Sequence, residues 1–333
     1  MYLLGDYSVV MSDTNRVKKV AIVGANGTVG KYITKALLSG EKHEVTAVTR
    51  GGAEMPKGVK VAKVSYDDPA SLTKALEGQD VLIITMGTRA PKDTQEKLIN
   101  AAAVANVPFV LPNAWGIESS HGTLGTDTFL GPPAMAAMKK TEELGKSAWI
   151  MMNTGFWYTH SLATPSAYGF DLNNNTVTFY DDGTAKINNI TWEKTAEAVK
   201  NLLSLPIESE GGNGPTLSDY KNKQVYVSGW LLSQKDIFQH VLRVSGAKES
   251  DWTIKYEPAA QRYEEAKKRL FSGDGSAYTQ LLYARTYYNN DDGNFESRHV
   301  LDNEKLGLTP ETPESLDEQT KIALELAASG YKY

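Results

Sequence analysis

The chain of 333 residues contains no cysteine. It therefore has no disulfide, no thiolate metal ligand and no cysteine nucleophile. Its 5 histidines are scattered without the HxH or HExxH spacing that brings two imidazoles to one metal ion. From these absences we expect a protein without a metal site.

Long hydrophobic runs and an excess of positive charge are also missing. No apolar run approaches the roughly 20 residues that span a bilayer, so we predict no membrane contact. The formal net charge of -5 argues against nucleic-acid binding, which needs a basic surface. A hydrophobic share of 41% with 23% charged residues is ordinary for a globular protein.

The beginning of the chain, residues 1–16, has a short apolar stretch with no basic region before it. That composition predicts an N-terminal extension rather than a secretory signal. Together with the lack of cysteine, it leads us to expect a cytoplasmic protein.

The first half of the chain alternates short apolar runs with helical patterns. Runs of almost continuous β-branched and apolar residues are typical of strands buried on both faces of a parallel sheet. The intervening helical patterns predict right-handed crossovers and an α/β fold, a Rossmann-like doubly wound parallel sheet. The predicted strands are KKVAIVG (18–24), HEVTAVT (43–49), VKVAKVS (59–65), DVLIITMG (80–87), PFVLPNA (108–114) and WIMMNTG (149–155).

After Gly155 this rhythm changes. The run TVTFYDDGTAKINNI (176–190) predicts a hairpin or paired strands around Asp182-Gly183, and Thr191 is placed to cap an amphipathic helix. A Gly/Pro/Asn-rich loop precedes a further strand, KQVYVSG (223–229). We expect an NADP-binding domain over 17–155 and a smaller α+β substrate-binding portion over 156–333, some segments of which return to the large domain.

The run VAIVGANGTVGKYI places three glycines, Gly24, Gly27 and Gly30, between the first strand and the first helix. Glycine permits a tight turn, close approach of backbone N–H groups to a pyrophosphate, and tight packing of helix on strand. In this strand–turn–helix context the motif predicts a dinucleotide site. The predicted cofactor-binding residues of the loop are Gly24, Asn26, Gly27, Thr28, Val29 and Gly30.

Arg50 stands at the end of the second strand, where a carboxylate would hold the ribose 2′-hydroxyl of NAD. A guanidinium suits a 2′-phosphate instead, so the cofactor is expected to be NADP(H). Further candidate cofactor residues follow the carboxyl ends of the third and fourth strands, where the ligand crevice of such a sheet opens. They are Asp67, Thr85, Met86 and Gly87.

One Tyr-x-x-x-Lys pair, the catalytic spacing of classical short-chain dehydrogenases, occurs at Tyr263 and Lys267. It lies more than a hundred residues beyond the helix on which those enzymes carry it. With 17 tyrosines in the chain, about one chance match is expected. We interpret the pair as a solvated face of a helix.

Four runs, in this order, resemble the NmrA-like, isoflavone-reductase-like branch of atypical short-chain dehydrogenases, and the fungal members in particular. They are GANGTVG, LPNAWG, WIMMNTGFWYTHSL and DNEKLGL, and the resemblance extends over most of residues 18–329. The resemblance implies an NADP(H)-binding Rossmann domain and a small C-terminal substrate domain. In catalytic members it also implies a general acid/base lysine on the helix after the fifth strand, whereas other members bind dinucleotide and regulate a protein partner.

That lysine has no clear counterpart in GPPAMAAMKKTEELGKS (131–147). Counting from the basic pair Lys139-Lys140 puts the family's lysine position at Met135, and counting back from Gly145 puts it at Ala134. Lys139 lies one turn beyond Met135 on the same helical face, which makes it a candidate catalytic residue. A purely solvated role for both lysines is an equally good interpretation.

The crevice beside the cofactor is predicted to be aromatic. Asn113 is placed to bond the nicotinamide ribose or the substrate, and the neighbouring aromatic rings suit an aromatic ligand, although ordinary core packing explains them as well. Tyr158 and His160 are candidate proton donors in place of the lysine. The predicted substrate contacts are Trp115, Met135, Thr154, Phe156 and Trp157.

These observations predict an NADP(H)-dependent reductase of a hydrophobic, aromatic small molecule. Two alternatives stay open: an NADP(H)-binding enzyme of a non-redox isomerisation or rearrangement, and a dinucleotide-sensing regulator that binds a protein partner. Substrate identity and oligomeric state do not follow from the sequence.

Overall fold

The computed structural model describes residues 15–52, 54–87, 90–165, 167–209 and 211–331. Residues 1–14 of the predicted extension lie outside the described residues, while Arg16 forms a β-bridge with Pro206. The helices of the described part are α1 (Gly30–Ser39), α2 (Pro69–Leu76), α3 (Thr94–Val104), α4 (Leu124–Asp127), α5 (Gly131–Leu144), α6 (Tyr158–Ala163), α7 (Trp192–Leu203), α8 (Gln234–Ser245), α9 (Ala259–Phe271), α10 (Ala277–Thr286) and α11 (Pro313–Ala328).

The strands fall into one large and two small sheets. They are β1 (Lys19–Val23), β2 (Glu44–Thr49), β3 (Lys60–Lys63), β4 (Val81–Ile84), β5 (Phe109–Leu111), β6 (Trp115–Gly116), β7 (Ala148–Asn153), β8 (Phe156–Trp157), β9 (Phe170–Asp171), β10 (Thr176–Tyr180), β11 (Lys186–Ile190), β12 (Lys223–Tyr226), β13 (Trp230–Ser233) and β14 (Thr253–Glu257).

The large sheet is parallel, with the order β12-β7-β5-β4-β1-β2-β3 and the short β6 beside β7. The chain order reverses between β1 and β4, which is the switch point where such sheets bind ligands. The prediction of a Rossmann-like, doubly wound sheet is confirmed.

Alternate residues of each central strand serve the two faces of this sheet, because side chains alternate along a strand. Val20 and Ile22 of β1 join a core with α1 and α7, whereas Ala21 and Val23 join a core with α2 and α3. Every residue of β4 is buried. Burial on both faces explains the continuous apolar runs from which the strands were predicted.

The predicted hairpin over 176–190 is wrong. β10 pairs with β9 and β14, whereas β11 pairs with β8 and β13, so the two strands lie in different small sheets. The turn between them is held from elsewhere, since Asp181 N–H donates to Glu257 O and Lys235 N–H donates to Gly183 O. Partners distant in sequence thus replace the local pairing.

The predicted helix cap at Thr191 is confirmed, because its hydroxyl accepts a hydrogen bond from Lys194 N–H. α7 then packs against α1, and β12 extends the large sheet at β7. Residues after 155 therefore complete the core of the nucleotide-binding half.

A second core, rich in aromatic rings, lies between the small sheets and α6, α8 and α11. Tyr263 belongs to a buried cluster beside α10, and its hydroxyl donates to Asp127 O. The interpretation of Tyr263 and Lys267 as a solvated face is therefore wrong for the tyrosine.

Within the described residues, no helix is both long enough and apolar enough to cross a membrane.

Candidate functional site

The glycine loop connects β1 to α1 at the carboxyl edge of the large sheet. Gly24 has φ +82°, and a Cβ there would lie 2.0 Å from Thr85 O. A Cβ on Gly30 would lie 2.0 Å from Gly24 O. Thr85 completes the contact, because its hydroxyl donates to Val23 O at 2.8 Å. Backbone atoms thus crowd both positions, and only glycine fits.

The N terminus of α1 is open to a ligand's phosphate. Val29 occupies the cap position and offers no side-chain acceptor, so α1, like α3 and α5, has no side-chain cap. Lys31 N–H donates to Gly27 O and Tyr32 N–H donates to Val29 O, so an anion here is attracted by the helix dipole and by the loop N–H groups that precede Lys31. The loop residues therefore fit a dinucleotide pyrophosphate. The capped helices include α7, α8 and α11, with Thr191, Ser233 and Thr312.

Asn26 and Val29 shape this loop from opposite sides. The Asn26 amide donates to Glu54 O at 2.5 Å, which ties the loop to the segment after β2. Val29 is buried in the core beneath α1. Thr28 instead faces a cleft on the side of α1.

Arg50 directly follows β2 and has an exposed side chain. It lies close enough to Tyr66 to lower the pKa of the Tyr66 hydroxyl, against the larger upward effect of burial on that pKa. An exposed guanidinium at this position fits the predicted 2′-phosphate contact. Asp67 is exposed and forms an ion pair with Lys97 at 2.7 Å. That pair directs the Asp67 carboxylate toward α3.

Met86 and Asn113 lie together beyond the carboxyl ends of the neighbouring strands β4 and β5. The Asn113 side chain accepts from Met86 N–H at 2.9 Å and donates to Met86 O at 3.1 Å. Trp115 donates from its indole nitrogen to Ile84 O at 2.8 Å. The Asn113 side chain therefore fixes the segment that follows β4. Gly87, the next residue, is exposed with open space around it.

A cleft of about 610 Å³ begins at Thr28 and extends between α1, α6, α7 and α11. Its walls carry the rings of Tyr32, Trp157, Trp192 and His160. Tyr32 stacks on Trp192 with centroids 5.5 Å apart, and Trp157 and His160 lie about as close to Trp192, at 6.2 and 6.0 Å. Aromatic walls of this kind suit a flat aromatic ligand.

Polar groups are few in this cleft. Lys31 and Glu193 supply the charges, and Thr159 donates to Gln319 at 2.5 Å. The indole nitrogens of Trp157 and Trp192 are buried and have no hydrogen-bond partner among the described residues. Burial lowers the pKa of His160 to about 4, so its imidazole is neutral near pH 7.

Three predicted site residues lie in the interior instead of the cleft. Tyr158 is fully buried, its hydroxyl bonds to Thr320 at 2.8 Å, and burial raises its pKa. Phe156 stacks on Tyr283 at 4.3 Å, and Thr154 is fully buried. This geometry does not support proton donation by Tyr158, because a buried phenol bonded to a helix cannot reach a ligand in the cleft.

The helix expected to carry the catalytic lysine is α5. Lys139 is 79% exposed and faces Glu143 at 3.7 Å, so its placement is that of a solvated surface lysine and does not support a catalytic role. Of the two counted positions, Ala134 is buried against Trp149, whereas Met135 is 46% exposed. Only Met135 could carry a lysine with its charge in solvent. Neither residue lines the cleft.

Several cleft residues were missed by the sequence reasoning. Lys31 and Tyr32 follow the glycine motif directly, and their spacing from Thr28 on one helical face was a usable signal. Trp192 and the α11 residues gave no comparable signal, because they are distant in sequence and meet only in the folded chain. The missed lining residues are Lys31, Tyr32, Thr159, Thr191, Trp192, Glu193, Gln319, Ile322, Leu326 and Tyr331.

Comparison with known proteins places the chain in a nucleotide-binding family. The model of a family described as NAD(P)H-binding matches residues 24–202, more than half of the chain. Oxidoreductase aprR of Aspergillus flavus is 25% identical over 300 residues, which cover 87% of this chain and 94% of that protein.

Two solved structures share the fold. The crystal structure of isoflavone reductase has a TM-score of 0.68 at 17% identity, over 91% of this chain and 98% of the other. That of an NADPH-dependent quinone oxidoreductase from Escherichia coli, complexed with NADPH, has a TM-score of 0.63 at 19% identity, over 91% and 98%. The predicted resemblance to isoflavone-reductase-like proteins is confirmed, and the cofactor prediction is confirmed at the level of NAD(P)H.

Proposed function

The chain belongs to this NAD(P)H-binding family, and from that premise we propose that it is an NADP(H)-dependent reductase of a hydrophobic, aromatic small molecule. One observation carries the proposal: Thr28 is part of the glycine loop and also lines the aromatic cleft. A molecule in the cleft would thus lie beside the loop that holds the cofactor. The names of related proteins, oxidoreductases in fungi, support the same reaction class.

Each part of the site has a proposed task. The backbone of the glycine loop and the first turn of α1 hold the pyrophosphate, and Arg50 binds the 2′-phosphate. NADPH, when bound, supplies a hydride. Tyr32, Trp157 and Trp192 exclude water from the cleft and orient a flat substrate against the loop. A cytoplasmic location and a substrate-binding portion beginning near residue 156 remain predictions.

The proton donor is the open part of this proposal. Of the three predicted candidates, His160 is the one that lines the cleft. The apolar Met135 on α5 favours a second candidate function, in which the chain binds NADP(H) without redox turnover and serves an isomerisation or a protein partner. NADPH consumption separates the two.

The cofactor part is tested by titrating NADPH and NADH against the intrinsic fluorescence of the wild-type protein and two variants. We expect wild type to prefer NADPH, and Arg50→Ala to lose about tenfold or more of that preference while NADH affinity is unchanged. Lys74→Ala, which removes an exposed charge from α2, is the matched control and retains the preference. Equal affinity of wild type for both cofactors would defeat the role of Arg50.

The reaction is tested by following NADPH absorbance with a panel of aromatic ketones, quinones and enones. We expect consumption with a subset of the panel, and loss of that activity in Trp192→Ala without loss of NADPH binding. Tight NADPH binding with no consumption across the panel would favour the non-redox alternative.

A further inference from the structure

The C-terminal end of the described chain forms one wall of the cleft. Gln319, Ile322 and Leu326 of α11 line it, and so does Tyr331 beyond the end of that helix. Tyr331 lies about 170 residues from His160 in sequence, yet its hydroxyl is 3.1 Å from His160 Nδ1. The sequence patterns gave this residue no role.

A specific helix ending fixes the position of Tyr331. Gly330 has φ +76°, and its N–H donates to Ala327 O. Tyr331 N–H then donates to Leu326 O at 3.2 Å. These two bonds, with a left-handed glycine between them, form a Schellman motif, which commonly brings the residue after the glycine against the last turn of the helix. Tyr331 is therefore built into the fold.

His160 is the other residue of this hydrogen bond with Tyr331. Its ring packs edge-on to Tyr331, with centroids 5.9 Å apart, and lies 6.0 Å from Trp192. The Thr164 hydroxyl lies 3.4 Å from the same Nδ1, but it also donates to His160 O at the shorter distance of 2.8 Å. The Tyr331 hydroxyl thus lies nearer to Nδ1 than the Thr164 hydroxyl does, and it stands at a wall of the cleft.

The pair of His160 and Tyr331 can form a hydrogen bond with two kinds of oxygen on a ligand. With the proton on Nδ1, His160 donates to the Tyr331 oxygen, and the Tyr331 O–H can donate to a ligand carbonyl. With the proton on Nε2, Tyr331 donates to Nδ1, and its lone pairs can accept from a ligand hydroxyl. The two tautomers of neutral histidine therefore match a ketone and the corresponding alcohol, which a reductase interconverts.

We propose that Tyr331, positioned by His160 and by the Schellman ending of α11, is a specificity-determining residue that binds the oxygen substituent of an aromatic ligand in the cleft. This rests on the proposed function, in which an aromatic molecule binds in that cleft beside the cofactor loop. The rings of Trp157 and Trp192 contact the rings of the ligand, and the Tyr331→Phe substitution separates the role of this hydroxyl from that of the other polar groups of the cleft, Lys31 among them.

The test uses two probes of nearly equal shape, 2-acetylnaphthalene and 2-isopropylnaphthalene, which differ by a carbonyl oxygen in place of a methyl group. Their dissociation constants are measured by tryptophan fluorescence on the full chain without cofactor. We expect Tyr331→Phe to lower the affinity ratio, acetyl over isopropyl, by about five- to tenfold, the effect of one hydrogen bond. The loss is confined to 2-acetylnaphthalene.

Tyr256→Phe is the matched control, because Tyr256 is an exposed tyrosine on β14 that does not line the cleft. It leaves both constants unchanged. His160→Gln keeps a polar side chain and shifts the ratio in the same direction as Tyr331→Phe. Thermal unfolding of each variant verifies that the fold is retained.

Three outcomes would overturn the proposal: a wild-type ratio in Tyr331→Phe, an equal loss for both probes, or no binding of either probe to wild type up to its solubility. NADPH titration separates this failure from failure of the proposed function. If Tyr331 is not the contact, NADPH binding and consumption persist with an unchanged probe ratio. If the chain is not a reductase, the probe ratio still responds to Tyr331→Phe while NADPH is not consumed.

Discussion

At the scale of single residues, the glycines of the cofactor loop are constrained by neighbouring backbone. The clearest case is Gly30, the first residue of α1, whose added Cβ would lie 2.0 Å from Gly24 O. Gly40 at the other end of the same helix has open space around it. One helix thus provides both a crowded glycine and an uncrowded one.

We predict that Gly30→Ala lowers the free energy of unfolding by about 2–3 kcal/mol, because the loop must move away from the new methyl group. We expect NADPH affinity to fall as well, since the loop that moves is the proposed pyrophosphate site. Gly40→Ala is the control and changes stability by less than about 0.5 kcal/mol. Urea unfolding measures both, and equal stability of the two variants would contradict the argument.

His160 gives a prediction about pH. Burial lowers its pKa to about 4, so between the ordinary value near 6.5 and about pH 4 the unfolded chain binds a proton that the folded chain does not. The histidine therefore leaves the free energy of unfolding unchanged above about pH 6.5 and lowers it progressively as the pH falls toward 4.

Replacing His160 by glutamine removes that acid-dependent loss. From pH 7 to pH 4.5, we expect wild type to lose about 2 kcal/mol more unfolding free energy than His160→Gln. Urea unfolding at each pH measures the difference between the two proteins, in which the common titration of carboxylates cancels. Parallel pH profiles would show that this imidazole is not held neutral.

At the scale of elements, the segment after the fifth strand is anchored by charges from the C-terminal half. Arg285 of α10 is almost fully buried and donates to Asp127 of α4 and to Asp292, both at 2.7 Å. Glu118, also buried, accepts from Arg298 at 2.9 Å. These bonds hold the chain between β6 and α5 against α10 and the turn that follows it.

We predict that Arg285→Met destabilises the protein by about 2 kcal/mol, because it removes a buried guanidinium that two partly buried carboxylates, Asp127 and Asp292, share. Arg243→Met is the matched control. Arg243 pairs with Asp317 at the surface, where solvent screens the charges, and its loss should have no measurable effect. The urea midpoints of the two variants are compared. An unchanged midpoint of Arg285→Met would show that the attraction in these ion pairs only offsets the free energy of removing the charges from water.

At the scale of the whole molecule, the nucleotide-binding half is not closed at residue 155. α7 covers Ile33 and Leu37 of α1, and β12 supplies the edge strand beside β7. Both elements come after the predicted boundary. The first core therefore needs chain from the second half.

We predict that a fragment of residues 15–155 does not unfold cooperatively, because the α1 face and the β7 edge are left open. The full chain shows a cooperative transition in urea by circular dichroism. A cooperative transition of the fragment, with a native-like spectrum, would instead support an independent domain ending at 155.

The sequence by itself determined the features that depend on neighbours along the chain. The strands of the parallel sheet, the glycine loop and the Thr191 cap could be predicted because each has a local periodicity or a local steric need. The proposed role of Arg50 rests on the same kind of local signal, its place directly after a strand.

Only the tertiary structure decided which side chains meet. It separated β10 from β11, buried Tyr158 and Phe156, left Lys139 in solvent, and brought Tyr331 to His160. The physical reason is that strand partners and cleft walls are set by long-range packing of apolar faces, and several partners satisfy the same local pattern equally well. The glycine loop can therefore be predicted from a few adjacent residues, whereas the residues of the cleft beside it come together only in the folded chain.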